Sequence, residues 1–415
     1  MALLLTAVGV SAQDAAPPPL SLSAALQRAA EQNPGLAAQG YSERAAEALI
    51  EQAGVRPNPT LDVSLENFAG TGAVQGVRGL ETTVQASQVI ERGGKRAKRV
   101  ALAGREREAA AAEFAVRRAE VFAASATAYI DVLAAQQRVA LATEPLKLAR
   151  ETVTAVDTRV KTAVASPAES ARSRAALASA QADYARAEAG LVNARAALAA
   201  TWGGNTGDVS TVTGTLQIPA DLPTEDAFLG KLASHPRFDL QQAVIAGRRA
   251  SLELARSQAT QDVTVSGGVR FLREGSDAAF VAGVSVPIPF RNQNQGNIRA
   301  AREMLAGAEQ SVRAVEVELR VAFTAAWQDL AAAHTAAQNL RREALPATEE
   351  AYTAVRSAYE QGQLPLIDVL DAQRALVGLR RELLDAEAAY AAALARAEAL
   401  TDPSFTALTA LITRS

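Results

Sequence analysis

Two aspartates, Asp368 and Asp371, stand three positions apart just beyond Pro365. On a helix that spacing puts both carboxylates on one side. At a helix start they offset the macrodipole, so the residues by themselves give a helix-cap role. A basic run, Arg92, Lys95, Arg96, Lys98 and Arg99, brackets Gly93-Gly94 after an alternating segment. A strand, glycines and a lysine can cradle phosphate, but the Gly-x4-Gly-Lys-Ser/Thr spacing is absent, which argues against nucleotide binding. These charges fit either a membrane boundary, beside headgroup phosphates, or a solvated turn. His235 and His334 are isolated and read as surface or packing residues. The chain has no cysteine, two methionines and two histidines. Disulfides, thiolate metal sites, a cysteine nucleophile and a lipid carried on an N-terminal cysteine are therefore not expected. With no imidazole or soft-metal cluster either, the reading is no enzyme, no cofactor and no metal site.

The elements that carry these residues follow from composition and periodicity. Of 415 residues, 49% are hydrophobic but only 4% aromatic, so small residues, chiefly alanine, carry the apolar count. That balance points to long helices lying close together rather than to a compact core. A net charge of −3 gives no field to gather nucleic acid. Residues 1–12 are apolar and end on Val10-Ser11-Ala12, a small-residue cleavage pattern, although no Lys or Arg precedes the run. They read as a secretory signal. A Pro-rich linker is expected over 13–20. No other stretch has the eighteen or so apolar residues of a spanning helix, so membrane entry would require strands.

The chain repeats itself. Ser87 faces Ser285, Ala128 faces Ala326 and Pro167 faces Pro365, each 198 positions on. Landmarks of different type at one offset identify a tandem duplication. The expected organisation is a first repeat over 21–201, a Gly- and Thr-containing linker over 202–223, a second repeat over 224–403 and a tail over 404–415. Each repeat opens on a helix interrupted by Asn33-Pro34 or His235-Pro236. Strands are expected near 60–69 and 80–90, and near 261–272 and 279–289, where apolar and polar residues alternate. Phe280, Val284, Val286 and Ile288 are expected to share one face. Long helices follow over 94–164 and 297–362, interrupted only by Pro145 and Pro346. Return helices follow over 168–201 and 366–401. Helices of that length rise on the order of 100 Å, as coiled coils or as staves of a tube. Strands of about ten residues suit a tilted membrane crossing, although ordinary hairpins alternate in the same way. Four such strands cannot close a barrel, since the smallest need about eight, and an open sheet is not tolerated in lipid. Two chains would supply eight strands and three would supply twelve.

Across residues 20–403 the chain resembles the TolC-type outer-membrane efflux factors. The resemblance rests on Ile90-Glu91-Arg92-Gly93-Gly94-Lys95-Arg96, on Val286-Pro287-Ile288-Pro289-Phe290-Arg291-Asn292, and above all on the run from Tyr359 to Gln373. It implies a mainly α fold with membrane β-strands. In a homotrimer, a 12-stranded outer-membrane β-barrel would continue as a 12-helix periplasmic α-barrel. The segments after the second and fourth strands look most like the CzcC branch, which serves metal-cation exporters of the resistance-nodulation-division type. The implied function is therefore a passive exit duct in the outer membrane of a Gram-negative bacterium. Its implied partners are a periplasmic adaptor (membrane fusion protein), an inner-membrane resistance-nodulation-division pump and outer-membrane lipid, with no nucleic acid. Multidrug or organic-compound efflux is the alternative cargo, and a soluble periplasmic coiled-coil scaffold is the alternative of another class.

The same resemblance makes Asp368 and Asp371 two stacked acidic rings at the periplasmic aperture, with Tyr359 helping to hold it closed. Leu364 stands where the family has its latch arginine, which leaves apolar closure as the alternative. The turns Val164-Ala165-Ser166-Pro167 and Gly362-Gln363-Leu364-Pro365 become tips that meet the adaptor.

Overall fold

The computed structural model describes residues 19–413. The signal-type segment over 1–12 and most of the 13–20 linker lie outside them. The chain divides into two compact units. One comprises Ala38–Val116 and Pro236–Glu318; the other comprises the chain up to Ala37, Arg117–His235 and the chain from Leu319.

In chain order the elements are α1 (Leu22–Gln32), α2 (Pro34–Gly54), β1 (Thr60–Glu66), β2 (Glu81–Ile90), α3 (Lys95–Lys161) and α4 (Pro167–Ala200). The second repeat follows with α5 (Glu225–Leu229), α6 (Pro236–Ser257), β3 (Val263–Leu272), β4 (Asp277–Ser285), α7 (Gln295–Asn339), α8 (Leu345–Glu360), α9 (Leu366–Thr401) and α10 (Thr406–Ile412). The break between α1 and α2 has a visible cause. Asn33 is extended at ψ 120°, and its Oδ1 accepts from the Leu36 N–H at 2.9 Å while its amide donates to the Thr201 carbonyl at 2.7 Å. Pro34, with no N–H to lose, fills the first helical position.

The unit built from Ala38–Val116 and Pro236–Glu318 holds a four-stranded antiparallel sheet in the order β1-β2-β3-β4. Its register sorts the residues by face. Val63, Val84, Val269 and Phe280 stand in one row across all four strands; Leu65, Thr82, Phe271 and Ala278 form the next. The opposite face carries Ser64, Thr83 and Arg270 in one row and Glu66 and Glu81 in the next. There Arg270 donates to Thr83 and pairs with Glu81 at 3.0 Å and Glu66 at 3.4 Å. The apolar face is uncovered in the single chain: Leu61 is 72% exposed, Val63 63% and Phe280 93%. Among the described residues, both outer strands, β1 and β4, have an unpaired edge.

Two strands end earlier than their alternation predicts. β1 stops at Glu66 because Asn67 turns to φ 57°. β4 stops at Ser285, ahead of Pro287 and Pro289, which cannot donate to a ladder. Val286 and Ile288 therefore lie beyond the strand and do not extend the face of Phe280 and Val284.

In the other unit the core gathers around Tyr129, Ile130, Val132 and Leu133 of α3 and Tyr390, Ala391 and Leu394 of α9, all at most 2% exposed. Residues 202–223, read as a linker, are built into it: Trp202, Val209, Val212, Leu216 and Ile218 are buried. The chain there is held by backbone bonds to Leu20 and by Gln136, whose amide both donates to and accepts from Val212. The Tyr129 hydroxyl lies 2.7 Å from the Thr213 carbonyl and 3.0 Å from that of Leu20. Most of the expected tail is helix α10, whose N-terminal amides Ala407 and Leu408 donate to the buried Glu398 carboxylate at 2.7 and 2.8 Å. That is the anion-binding property of a helix N-terminus used for internal docking. Pro145 leaves α3 continuous. Pro346 instead follows a single π-turn, Leu340–Ala344, which divides α7 from α8 just ahead of the proline expected to interrupt the helix over 297–362.

Candidate functional site: the helix tips

Two turns, α3 to α4 and α8 to α9, carry most of the candidate residues. In the first, Ala163 takes the left-handed conformation at φ 59°, and the amides of Val164 and Ala165 both donate to the Arg159 carbonyl. Ser166 caps α4: its hydroxyl accepts from the Glu169 N–H at 3.3 Å, with Pro167 in the first turn. In the second, Gly362 has φ 77° and Gln363 closes back onto the Ala358 carbonyl at 2.9 Å, a Schellman-type end. Pro365 sits at the cap position, immediately before Leu366, the first residue of α9. Val164, Gln363, Gly362 and Pro365 are exposed, while Leu364 is half-buried.

Beneath the turns lies an apolar cluster of Val156, Leu366 and Leu370, with Val160, Ala176 and Tyr359 around it. Tyr359 is the polar member. Its hydroxyl accepts a 2.7 Å hydrogen bond from Arg159 of α3, and the guanidinium lies 5.5 Å from the ring centroid. An arginine thus does reach the tyrosine, but from the other repeat, 200 residues away. Sequence reasoning missed Arg159 because it belongs to no motif. The only available signal was its position in the last turn of α3, where a cation favours the helix C-terminus. Close by, the Ser170 hydroxyl donates to Asp157 at 2.6 Å and ties α4 to α3.

The two aspartates have different surroundings. Asp371 is exposed and pairs with Arg374 at 2.7 Å. Asp368 is half-buried and has no ion-pair partner among the described residues.

The basic run lies in the other unit, where β2 passes into α3. Lys95 pairs with Asp262 at 2.8 Å, and the Arg92 backbone N–H donates to the same oxygen at 2.9 Å. Lys98 pairs with Glu253 at 3.3 Å. Arg99 grips Glu91 with two nitrogens and also donates to the carbonyls of Ala53 and Val55. Its hydrogen bonds hold the Glu91 carboxyl below the usual range. Lys95 and Arg99 are therefore spent on joining strand ends to helices, and Lys98 on joining α3 to α6. Those of Arg92 and Arg96 carry no ion pair among the described residues.

A family model described as "Outer membrane efflux protein" matches twice, over residues 25–204 and 231–401. This chain belongs to that family. It is a passive outer-membrane channel protein, not an enzyme. The efflux protein is 33% identical over 87% of its length to the cobalt-zinc-cadmium resistance protein CzcC of Cupriavidus metallidurans, covering 85% of that protein. It is 34% identical over 80% of its length to the nickel and cobalt resistance protein CnrC of the same species, covering 78% of it. Among solved structures, its fold matches the outer-membrane channel OprN with a TM-score of 0.75 at 18% identity, over 92% of this chain and 89% of that one. It also matches the Campylobacter jejuni CmeC outer membrane channel with a TM-score of 0.75 at 14% identity, over 95% and 90%. Family membership overturns the soluble-scaffold alternative.

Proposed function

We propose that three copies of the efflux protein assemble into one outer-membrane exit duct for heavy-metal cations. The observation that carries this reading is the sheet. It has one apolar and one polar face, and the described residues of each chain leave both edges unpaired. In lipid every backbone group needs a partner. Joining β4 of one copy to β1 of the next around a three-fold axis would satisfy both edges and give twelve strands. The row of Val63, Val84, Val269 and Phe280 would then face lipid, and Arg270 with its glutamates would face the lumen.

The periplasmic tips would form the aperture. Arg159 and Tyr359 would latch α3 to α8 within each protomer, over the apolar cluster at Leu366 and Leu370. Asp368, repeated three times, would present a carboxylate ring that favours cations. A periplasmic adaptor docks at the tip end and opens the mouth, and an inner-membrane resistance-nodulation-division pump supplies the energy. Lys95 and Arg99 would fix the barrel to the helices, with Lys98 bracing α3 against α6, leaving Arg92 and Arg96 for headgroup phosphates. Cobalt, zinc or cadmium as cargo is supported by the names of the metal-resistance relatives, with copper as a further candidate to test. Deletion of the gene, with growth titrated against these metals and several drugs, tests the cargo. Metal tolerance is expected to fall and to return with the intact gene. Unchanged metal tolerance with lost drug tolerance would contradict the metal reading.

A further inference from the structure

The long helix of the second repeat changes its hydrogen bonding in one place. At the π-turn Leu340–Ala344 the Leu345 N–H donates to the Leu340 carbonyl, five residues back. Pro346 follows in the first turn of α8, where its missing N–H leaves no bond unmade. The turn thus lets a proline stand where it would break a continuous helix. The first repeat is built differently. The duplication offset of 198 carries Pro145 onto Glu343, inside the π-turn, yet α3 runs through Pro145 unbroken. At this level one repeat is continuous and the other is jointed.

Beyond the joint α8 is lightly held. None of its 16 residues is buried, whereas α9 near and beyond the level of the joint buries Leu384, Glu387, Tyr390, Ala391 and Leu394. Segments with few buried contacts open at the lowest cost. Three polar contacts tie the joint and α8 to their neighbours. At the start, Arg341 of the π-turn pairs with Glu387 of α9, which is only 8% exposed. Midway, Glu349 pairs with Arg380 at 2.7 Å, but that pair is exposed and weak. At the far end, Tyr359 accepts from Arg159. The two contacts shielded from water therefore stand at the joint and at the tip.

The lever is long. From Ala344 to Gly362 the helix rises about 27 Å, and to Ala354 about 15 Å. A π-turn accommodates kinks of about 20°, and a change of that size would carry Gly362 about 9 Å and Ala354 about 5 Å.

We propose that the π-turn is the joint on which α8 swings away from α3 when the aperture opens, and that Arg341 and Glu387 are positioning residues that fix its resting angle. This rests on the duct reading above and adds the place where the moving segment begins. Arg341 is itself part of the turn, so its pair with Glu387 holds the joint directly. The Arg159–Tyr359 bond holds only the end of the lever.

The test uses the purified full-length protein, in detergent and in planar bilayers. The chain has no cysteine, so introduced pairs take spin labels at defined sites. Ala155→Cys with Ala354→Cys reports α3 against α8 beyond the joint. Ala140→Cys with Ala336→Cys reports α3 against α7 before it. All four positions are exposed, and labelled chains are diluted with unlabelled ones. The joint is released by Arg341→Met with Glu387→Met, which removes both partners and leaves no buried charge uncompensated. The first distance is then expected to shift or broaden by about 3–5 Å, with the second unchanged. Open probability should rise about tenfold or more. Deleting Arg342 together with Pro346→Ala makes the helix continuous and should reverse both changes in the released protein. An unmoved first pair, equal movement of both pairs, or movement that survives the straightening would overturn the proposal. So would a conducting duct whose open probability ignores the movement. The labels report within one chain and need no trimer. A moving α8 in a protein that conducts nothing would sink the duct, whereas a conducting duct with α8 fixed sinks the joint alone.

Discussion

Removing one oxygen from the aperture tests the latch. In Tyr359→Phe the ring stays in its place beside Val156 and Leu366, and its contact with the Arg159 guanidinium is kept. Only the 2.7 Å hydrogen bond from Arg159 is lost. Hydrogen bonds to charged groups contribute about 1.5–3 kcal/mol. Both partners are half-buried, so the lower end, about 1.5 kcal/mol per chain, applies. If opening the mouth breaks this bond in all three chains, the closed state loses about 4.5 kcal/mol. At about 1.4 kcal/mol per tenfold, that is roughly a thousandfold rise in the open-to-closed ratio. Single-channel recording in planar bilayers reads this ratio directly. Arg159→Met should open the duct further, because it also removes the cation–π contact, worth about 0.5–1 kcal/mol at such a site. Adding Tyr359→Phe to Arg159→Met should change little, since partners in one contact are not additive. An open probability within twofold of wild type in Tyr359→Phe would refute the latch. Full additivity of the two substitutions would do the same.

Three further outcomes follow. Asp368→Asn should lower the cation-to-anion permeability ratio, read from reversal potentials, by more than Asp371→Asn, because the Asp371 carboxylate is already engaged by Arg374. Burial, opposed by Arg341, pushes the Glu387 carboxyl above its usual range. The folded state therefore binds this proton more tightly than the unfolded state, and wild-type stability falls as pH rises from the ordinary carboxylate range through the raised pKa. Glu387→Gln lacks that term, so its thermal stability relative to wild type should improve with rising pH; a constant difference would remove Glu387 from the account. Ala163→Gly should stabilise the first tip by about 0.5 kcal/mol, because the left-handed conformation costs a residue with a Cβ about 1–2 kcal/mol while glycine's extra chain entropy takes back about 0.5–1, and a melting temperature at or below wild type would show that the turn relaxes.

The duplicated plan was readable because it is written in local signals: Pro167 and Pro365 at one offset, alternating runs of period two, and long helical stretches with a single proline each. What could not be read was anything settled by distant residues or by the backbone's own hydrogen-bonding needs. Arg159 and Tyr359 lie on different repeats, and nothing at either position announces the other. The stretch from Trp202 to Pro223 looked like a linker because its Gly and Thr lack a period. Its buried Val209, Val212 and Leu216 stand at helix-like spacing, but among glycines that disfavour a helix, and gain meaning only against Leu20 and Tyr129. The basic run at Arg92–Arg99 advertised charge but not its acidic partners, Asp262 and Glu253, which come from the second repeat. Asp368 and Asp371 are alike in type and spacing, and what separates them is burial, half-buried against exposed, together with the pairing of Asp371 to Arg374.

The most direct measurement of the central claim is the number of chains in the protein extracted from outer membranes in mild detergent, by mass photometry with and without heating. The account predicts three chains per particle, falling to one only on boiling, because β1 and β4 of each copy are paired with their neighbours. A single chain per particle before heating, or protein recovered from the soluble periplasm, would contradict it.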